Sequence, residues 1–199
     1  MRSLIAFVAC LFPALATAQS SCPSDRDLSG PGIRVDRSGG YTEIFRAGGQ
    51  GIVMVEGFID RELEYNLELA DGLQLLSYSG NVGKTPDAQD GLRYDYGVPH
   101  DDLPGPVANE RWQSEVTVTG VGGSFSEPQL YASGPQEQIR IGNCPYTMIP
   151  VTIAYQNAQN YIEVLQFFPE MGIAVLIRQS DDMAAATDFT IERIGLARQ

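Results

Sequence analysis

The stretch LEYNLELADGLQLLSY, residues 63–78, decides the fold class. Its first seven residues alternate strictly between apolar and polar side chains. The apolar face consists of Leu63, Tyr65, Leu67 and Leu69. A period of two is typical of a β-strand that places one face against a core and the other in water. Asp71-Gly72 follows and indicates a tight hairpin turn, because both central residues of such a turn need positive φ.

Strand-like segments continue in both directions from this hairpin. Upstream, YTEIFRA (41–47) and GIVMVEGFI (51–59) are separated by Gly48-Gly49-Gln50, a second hairpin signal. Downstream, the segments are SEVTVTG (114–120), EQIRIG (137–142), YTMIPVTIAY (146–155), YIEVLQFF (161–168), GIAVLI (172–177) and DFTIERI (188–194). GIAVLI is apolar throughout, which is typical of a strand covered on both faces. We therefore predict an all-β, antiparallel protein of about a dozen short strands with little helix, forming a highly curved sheet, half-barrel or barrel.

A Pro- and Gly-rich stretch, GVPHDDLPGPVAN at 97–109, separates the two strand-rich halves. If it is a long loop across one sheet, residues 19–199 form a single domain. If it is a linker, it divides the chain into two subregions, 19–96 and 110–199, each small for an independent domain. We expect the single domain.

The chain opens with the sequence of a secretory signal peptide. Arg2 precedes an apolar run from Leu4 to Leu15, and the small residues Ala16-Thr17-Ala18 form an A-x-A cleavage site. We therefore predict a signal peptide at 1–18, cleaved after Ala18, and a periplasmic or secreted product. The residues before Cys22 lack the aliphatic position of a lipid-attachment pattern, so we expect release rather than anchoring.

The charge balance limits the partners. The chain carries 25 acidic against 13 basic residues, for a net charge of −12. Nucleic acids and anionic membrane surfaces both need clustered cations, so neither is an expected partner. We also expect no stable insertion into a membrane.

Two cysteines, Cys22 and Cys144, remain after the expected cleavage. An even number in an oxidising compartment favours a disulfide between them. Neither belongs to a C-x-x-C pair, so we predict a structural bridge rather than a redox site.

The sequence contains three stretches that partly match metal-binding or phosphate-binding motifs, but the residues around each one do not fit the motif. His100, the single histidine, lies in PHDD, and a zinc site needs more converging ligands than this stretch supplies. Gly83-Lys84-Thr85 lacks the earlier glycine and the following helix of a phosphate loop. Asp87 and Asp90 lack calcium-loop spacing, and an Asp-Gly turn explains them. We therefore assign no catalytic residue, no metal ligand and no cofactor, and we leave the ligand-binding residues unassigned.

The most characteristic segment is YIEVLQFFPEMGIAVLI, residues 161–177. An aromatic-rich strand, then Pro169-Glu170-Met171-Gly172, then an apolar strand resembles the Y-x-P-E-L-G hairpin of uncharacterised periplasmic β proteins of bacteria. Those proteins are distantly similar to the half-barrel lipoprotein carriers and sensors of the bacterial envelope. The resemblance covers residues 139–178 and implies a strongly curved sheet.

These observations favour a non-enzymatic protein that binds a hydrophobic small molecule or an envelope protein. The alternatives are an accessory envelope subunit without a pocket and a hydrolase that uses carboxylates. We expect the apolar face of 63–69 to line a cavity. A second face is expected from Ile162, Val164, Phe168, Ile173 and Val175.

Overall fold

The computed structural model describes residues 22–80, 91–156, 160–181 and 185–197. The expected signal peptide, the Gly83-Lys84-Thr85 stretch, and Asp87 and Asp90 lie outside these ranges. Within the described ranges, no helix has the length and apolar character needed to cross a bilayer.

Strands make up most of the described chain, joined by three short 3-10 segments at Asp25–Ser29, Ser38–Gly40 and His100–Asp102. The strands are β1 (Ile33–Arg37), β2 (Tyr41–Gly49), β3 (Ile52–Ile59), β4 (Glu62–Ala70), β5 (Gln74–Gly80), β6 (Gly91–Asp95), β7 (Arg111–Gly120), β8 (Gly123–Ser133), β9 (Glu137–Ile141), β10 (Cys144–Tyr155), β11 (Ile162–Phe168), β12 (Ile173–Ser180), β13 (Thr187–Asp188) and β14 (Ile191–Leu196). The prediction of an all-β protein with little helix is confirmed.

All the described strands join one curved antiparallel sheet. Its order is β13-β12-β11-β10-β8-β7-β6-β5-β4-β3-β2-β1-β14, and β9 pairs with the first half of β10. Most neighbours in the sheet are also neighbours in the chain, as in a meander of hairpins. The two ends of this order, β13 and β14, are consecutive in the chain, so the sheet curls until its ends approach each other.

The last predicted strand, DFTIERI, is divided between the two ends of the sheet. Thr187 and Asp188 pair with β12, whereas Ile191–Leu196 pairs with β1. Between them, the Phe189 amide donates to the Ile177 carbonyl at 2.8 Å, and the Ser38 amide donates to the Thr190 carbonyl at 2.9 Å. We call this line of contact between β12 and β1 the seam. The expectation of one continuous strand was wrong, because the segment pairs with a different partner on each side of Phe189 and Thr190.

The hairpin turn at Asp71-Gly72 is confirmed. Both residues have positive φ, at 45° and 70°, and they join β4 to β5. The turn between β2 and β3 is displaced from the predicted Gly48-Gly49-Gln50. It is centred on Gln50 and Gly51, which have φ of 45° and 73°.

Three buried apolar clusters fill the interior of the sheet. The largest is Ile33, Val35, Phe45, Val53, Val55, Leu69, Tyr146, Met148, Phe168, Met171, Ile173 and Val175. A second includes Leu165 and Ala174. Ile173 and Val175 therefore pack in one cluster while Ala174 between them packs in another. GIAVLI is covered on both faces, as its continuous apolar sequence predicts.

The N-terminal segment is fastened to the rest of the sheet. A disulfide joins Cys22 to Cys144, with their Cα atoms 5.5 Å apart, consistent with the pairing predicted from the sequence. The Asp25 amide donates to the Glu170 carbonyl at 2.8 Å, and a carboxylate oxygen of Glu170 accepts from the Thr147 amide at 2.9 Å. The Pro169–Gly172 turn thus connects the N-terminal segment to β10.

Candidate functional site

A cavity of about 260 Å³ lies inside the curved sheet, between β2–β5 on one wall and β11–β12 on the other. Its lining is mainly apolar. The apolar lining residues outside the tyrosines are Phe45, Val55, Leu67, Leu69, Leu73, Leu75, Leu165, Ala174, Leu176 and Phe189. A concave, mostly apolar cavity with a few polar groups is the usual form of a small-molecule site.

Strand register explains the first wall. Phe45 pairs with Val55, and Val55 pairs with Leu67, so these side chains form one row across β2, β3 and β4. Cross-strand partners share a face of the sheet. The alternation in LEYNLEL therefore places Tyr65, Leu67 and Leu69 on the cavity side, as expected. Leu63, the first residue of the expected face, does not line the cavity, and the pairing of β3 with β4 shifts register between Tyr65 and Leu63.

On the second wall, the five residues expected to form the face do not line the cavity, whereas Glu163 and Leu165 do. Ile162 is exposed, but Phe168, Ile173 and Val175 are buried in the cluster that also contains Phe45, Val55 and Leu69. Both alternating faces of YIEVLQFF carry apolar residues, so the sequence pattern does not distinguish inside from outside. Pairing with β10 does so, because Ile153, opposite Glu163, and Val151, opposite Leu165, are both buried.

A buried ion pair forms one polar group of the lining. An Nη atom of Arg37 donates to Oε1 of Glu43 at 3.0 Å, and the two side chains are only 2% and 8% exposed. The Tyr65 hydroxyl donates to the same Glu43 oxygen at 2.6 Å. The other Nη of Arg37 donates to the Leu176 carbonyl across the seam at 2.9 Å. Burial and the Glu43 carboxylate raise the pKa of Tyr65, so its hydroxyl remains a donor.

Gly57 makes the Tyr65–Glu43 contact possible. Glu43, Gly57 and Tyr65 are opposite one another on β2, β3 and β4. The Tyr65 ring covers Gly57, where a Cβ would lie only 2.1 Å from the ring carbon that bears the hydroxyl. A residue with any side chain at 57 would therefore push the ring away from Glu43.

Glu163 forms the second polar group. The Tyr155 hydroxyl donates to one Glu163 oxygen at 2.7 Å, and the Tyr161 hydroxyl lies within reach of both Glu163 and Oε1 of Gln179. Burial raises the pKa of the Glu163 carboxyl, and the nearby Glu43 and Glu127 carboxylates act in the same direction. The hydrogen bonds from Tyr155 and Tyr161 oppose that effect. Glu163 keeps some accessible surface, as expected for a side chain that borders a cavity.

Arg37, Glu43 and Glu163 were not among the residues predicted from the sequence to form a site. Each is a charged residue that points to the interior of the sheet. The residues two positions away on the same strand, which point the same way, are apolar or aromatic. In β1, Arg37 follows Ile33 and Val35; in β2, Glu43 lies between Tyr41 and Phe45. A charged residue within the otherwise apolar face of an alternating strand was the sequence feature that could have indicated these buried polar positions.

His100 lies elsewhere on the surface. Its Nε2 is 2.7 Å from the Gln50 carbonyl and 3.0 Å from a carboxylate oxygen of Asp101. The ring is therefore anchored to the turn between β2 and β3 rather than being only a solvated loop side chain. Within the described ranges, no group of three or more His, Cys, Asp or Glu side chains is placed to hold a metal ion.

Fold and site together define an all-β protein whose curved antiparallel sheet encloses a cavity with polar groups in an apolar lining. No family model matches the chain, and no curated protein matches it significantly. Among solved structures, the hypothetical lipoprotein YmcC from Escherichia coli is similar with a TM-score of 0.41 and 11% sequence identity. That similarity covers 81% of this chain and 87% of the lipoprotein chain.

Proposed function

We propose that the protein is exported to the bacterial periplasm and binds a small hydrophobic ligand inside its curved sheet, without catalysing a reaction. The observation that carries this proposal is the cavity between β2–β5 and β11–β12, which is lined mainly by leucine and aromatic side chains. Export is supported by the Arg2, Leu4–Leu15 and A-x-A sequence at the start of the chain.

The cavity volume limits the ligand. At about 260 Å³ it lies just below the usual range for drug-sized ligands, roughly 300–1,000 Å³. It exceeds an engineered apolar cavity of about 150 Å³ that accepts benzene. If each non-hydrogen atom takes roughly 30 Å³, the share of a water molecule in the liquid, the cavity holds about nine such atoms. One short chain or ring fits, whereas a two-chain lipid does not.

Ligand binding is expected to stabilise the fold. A ligand that fills the space restores contacts with the walls and also stabilises the folded state by mass action. The melting temperature should therefore rise with ligand concentration.

The test is native mass spectrometry of protein exported from a bacterial host, with solvent extraction of bound molecules. Binding of 1-octanol, which has nine non-hydrogen atoms, is then measured by calorimetry on emptied protein. Binding with a matched rise in melting temperature supports the proposal. A folded protein that carries no extractable molecule and does not bind octanol would favour the accessory-subunit alternative.

A matched pair of variants locates the site. Ala174→Leu adds three carbons at a lining position that is 5% exposed, whereas Ala154→Leu adds them on the other face of β10. We expect Ala174→Leu to weaken octanol binding at least tenfold and Ala154→Leu to leave it unchanged. If Ala174→Leu fails to fold, Leu67→Ala enlarges the same cavity and should shift the preference towards 1-decanol. Equal binding by all these variants would place the ligand elsewhere.

A further inference from the structure

Aromatic rings surround the polar part of the cavity. Six of the described residues that line it are aromatic: Tyr41, Phe45, Tyr65, Tyr78, Tyr155 and Phe189. The rings of Tyr65 and Tyr78 are stacked with centroids 6.4 Å apart, and Tyr155 lies 5.6 Å from Tyr161. The faces of aromatic rings carry partial negative charge and attract cations.

Arg37, the one cationic side chain among the described lining residues, is already engaged through both of its Nη atoms. It pairs with Glu43 and bonds the Leu176 carbonyl. Its guanidinium lies 5.4 Å from the Tyr41 ring centre and 4.9 Å from that of Phe189. Arg37 therefore neutralises Glu43, and the described lining residues supply no cation for the second carboxylate of the cavity.

Glu163 is that second carboxylate. Among the ion pairs of the described residues, none involves Glu163, and its partners are the hydroxyls of Tyr155 and Tyr161. On the opposite wall, Oε2 of Glu43 has no hydrogen-bond partner in the described part of the chain, although its side chain is only 8% exposed. An ionised carboxylate in an apolar site is costly unless a counter-charge accompanies it.

We propose that the cavity selects a small amphiphile with a positively charged amine head, which pairs with Glu163 beside the Tyr65, Tyr78 and Tyr155 rings while its apolar tail contacts the leucine walls. This proposal rests on the proposed function and names the ligand class for the same cavity. An ammonium group satisfies the carboxylate and gains the attraction of the ring faces. An acid head is disfavoured, because it would lie near two carboxylates in a water-poor site.

Three ligands of the same chain length isolate the head group: octylamine, 1-octanol and octanoate. Calorimetry at pH 7.5 should give the order amine, alcohol, acid, with the amine at least tenfold tighter than the alcohol. Glu163→Gln keeps the shape of the side chain and removes its charge. In that variant octylamine should bind no more tightly than 1-octanol. Glu62→Gln, an equal charge change at an exposed residue of β4, serves as the control and should behave as wild type.

The outcomes separate the two proposals. If octanol and octylamine bind equally to wild type, the amine inference is wrong and the hydrophobic-ligand function stands. If none of the three binds, the proposed function itself fails. If Glu163→Gln does not fold, the amine preference of wild type is measured as pH falls. The preference should decline as Glu163 takes up a proton, with Tyr155, Tyr161, Glu43 and Glu127 as the other titratable groups that act on it. A preference that does not change down to pH 4 would overturn the role of Glu163.

Discussion

At the scale of single residues, the cavity depends on one missing side chain. Gly57 lies where the register between β3 and β4 shifts but does not have a positive φ, so its role is the space that its lack of a Cβ leaves for the Tyr65 ring. That space lets a tyrosine on β4 reach Glu43 two strands away. A glycine in the interior of a strand generally weakens it, and such a glycine often marks a close approach by another group.

We predict that Gly57→Ala destabilises the protein by roughly 2 kcal/mol or more, as expected when a buried site is overpacked and a buried hydrogen bond is lost. Urea unfolding measures the change. Gly195→Ala, in β14 with open space at its Cβ position, should be nearly neutral. In a Tyr65→Ala background, Gly57→Ala should cost much less. Equal costs in both backgrounds would show that the ring contact is not the cause.

The burial of Glu163 lowers the stability of the folded protein when its carboxyl group is ionised. Its pKa is raised above the ordinary value of 4.5, mainly by burial, so its ionisation opposes folding. For a group whose pKa is higher in the folded state, the stabilising contribution is complete below 4.5 and is lost as pH rises through the raised value. We predict that Glu163→Gln is more stable than wild type at pH 8 and that this advantage shrinks towards pH 4. Melting temperatures of both proteins across this range provide the measurement, and a constant difference would contradict it.

At the scale of elements, two hairpin turns support each other. The turn between β4 and β5 contacts the turn between β11 and β12, where the Ala174 amide donates to the Gly72 carbonyl at 2.9 Å. A Cβ at Gly72 would lie 2.1 Å from the Gly172 carbonyl oxygen. This contact joins the two walls of the cavity, which belong to hairpins about a hundred residues apart in the chain.

Gly72→Ala is therefore expected to cost more than the backbone strain alone. An alanine at φ near +70° loses roughly 1–2 kcal/mol, and the overlap with Gly172 adds to that loss. Gly97→Ala is the matched control, because Gly97 has φ of 72° with open space around it. Unfolding in urea should show a clearly larger loss for Gly72→Ala. Similar losses would mean that the turn-to-turn contact contributes little.

At the scale of the whole molecule, the sheet is brought together along the seam. β13 and β14 pair with opposite ends of the sheet, and the Arg37 side chain passes beneath Phe189 to bond the Leu176 carbonyl. One buried arginine thus connects β1 with β12 and also neutralises Glu43. The curvature that forms the cavity and the charge balance of its lining therefore depend on the same side chain.

We predict that Arg37→Met destabilises the protein by about 3–5 kcal/mol, because it leaves the Glu43 carboxylate buried without its counter-charge. Adding Glu43→Gln should recover part of that loss. Arg46→Met breaks an ion pair with Glu56 that is about 40% exposed, and should cost at most about 1 kcal/mol. Denaturant unfolding of the four proteins checks this. A double variant no more stable than Arg37→Met would argue that the seam contact, rather than the charge on Glu43, dominates.

The sequence by itself predicted most of the strands, the Asp71-Gly72 turn and the inward side of Tyr65, Leu67 and Leu69, because alternation and turn chemistry are local properties of the chain. The segments of β1, β6 and β8 were not among those predicted. It also predicted that GIAVLI is covered on both faces. Tertiary structure alone decided which face of YIEVLQFF turns inward. Both of its faces carry apolar side chains that could be buried, and the pairing with β10 determines which face lines the cavity. The split of DFTIERI between the two ends of the sheet and the meeting of Arg37, Glu43 and Glu163 around one cavity also depend on how the whole sheet curls. Those contacts join residues that are far apart in the sequence, and local sequence patterns do not show which distant residues come together in space.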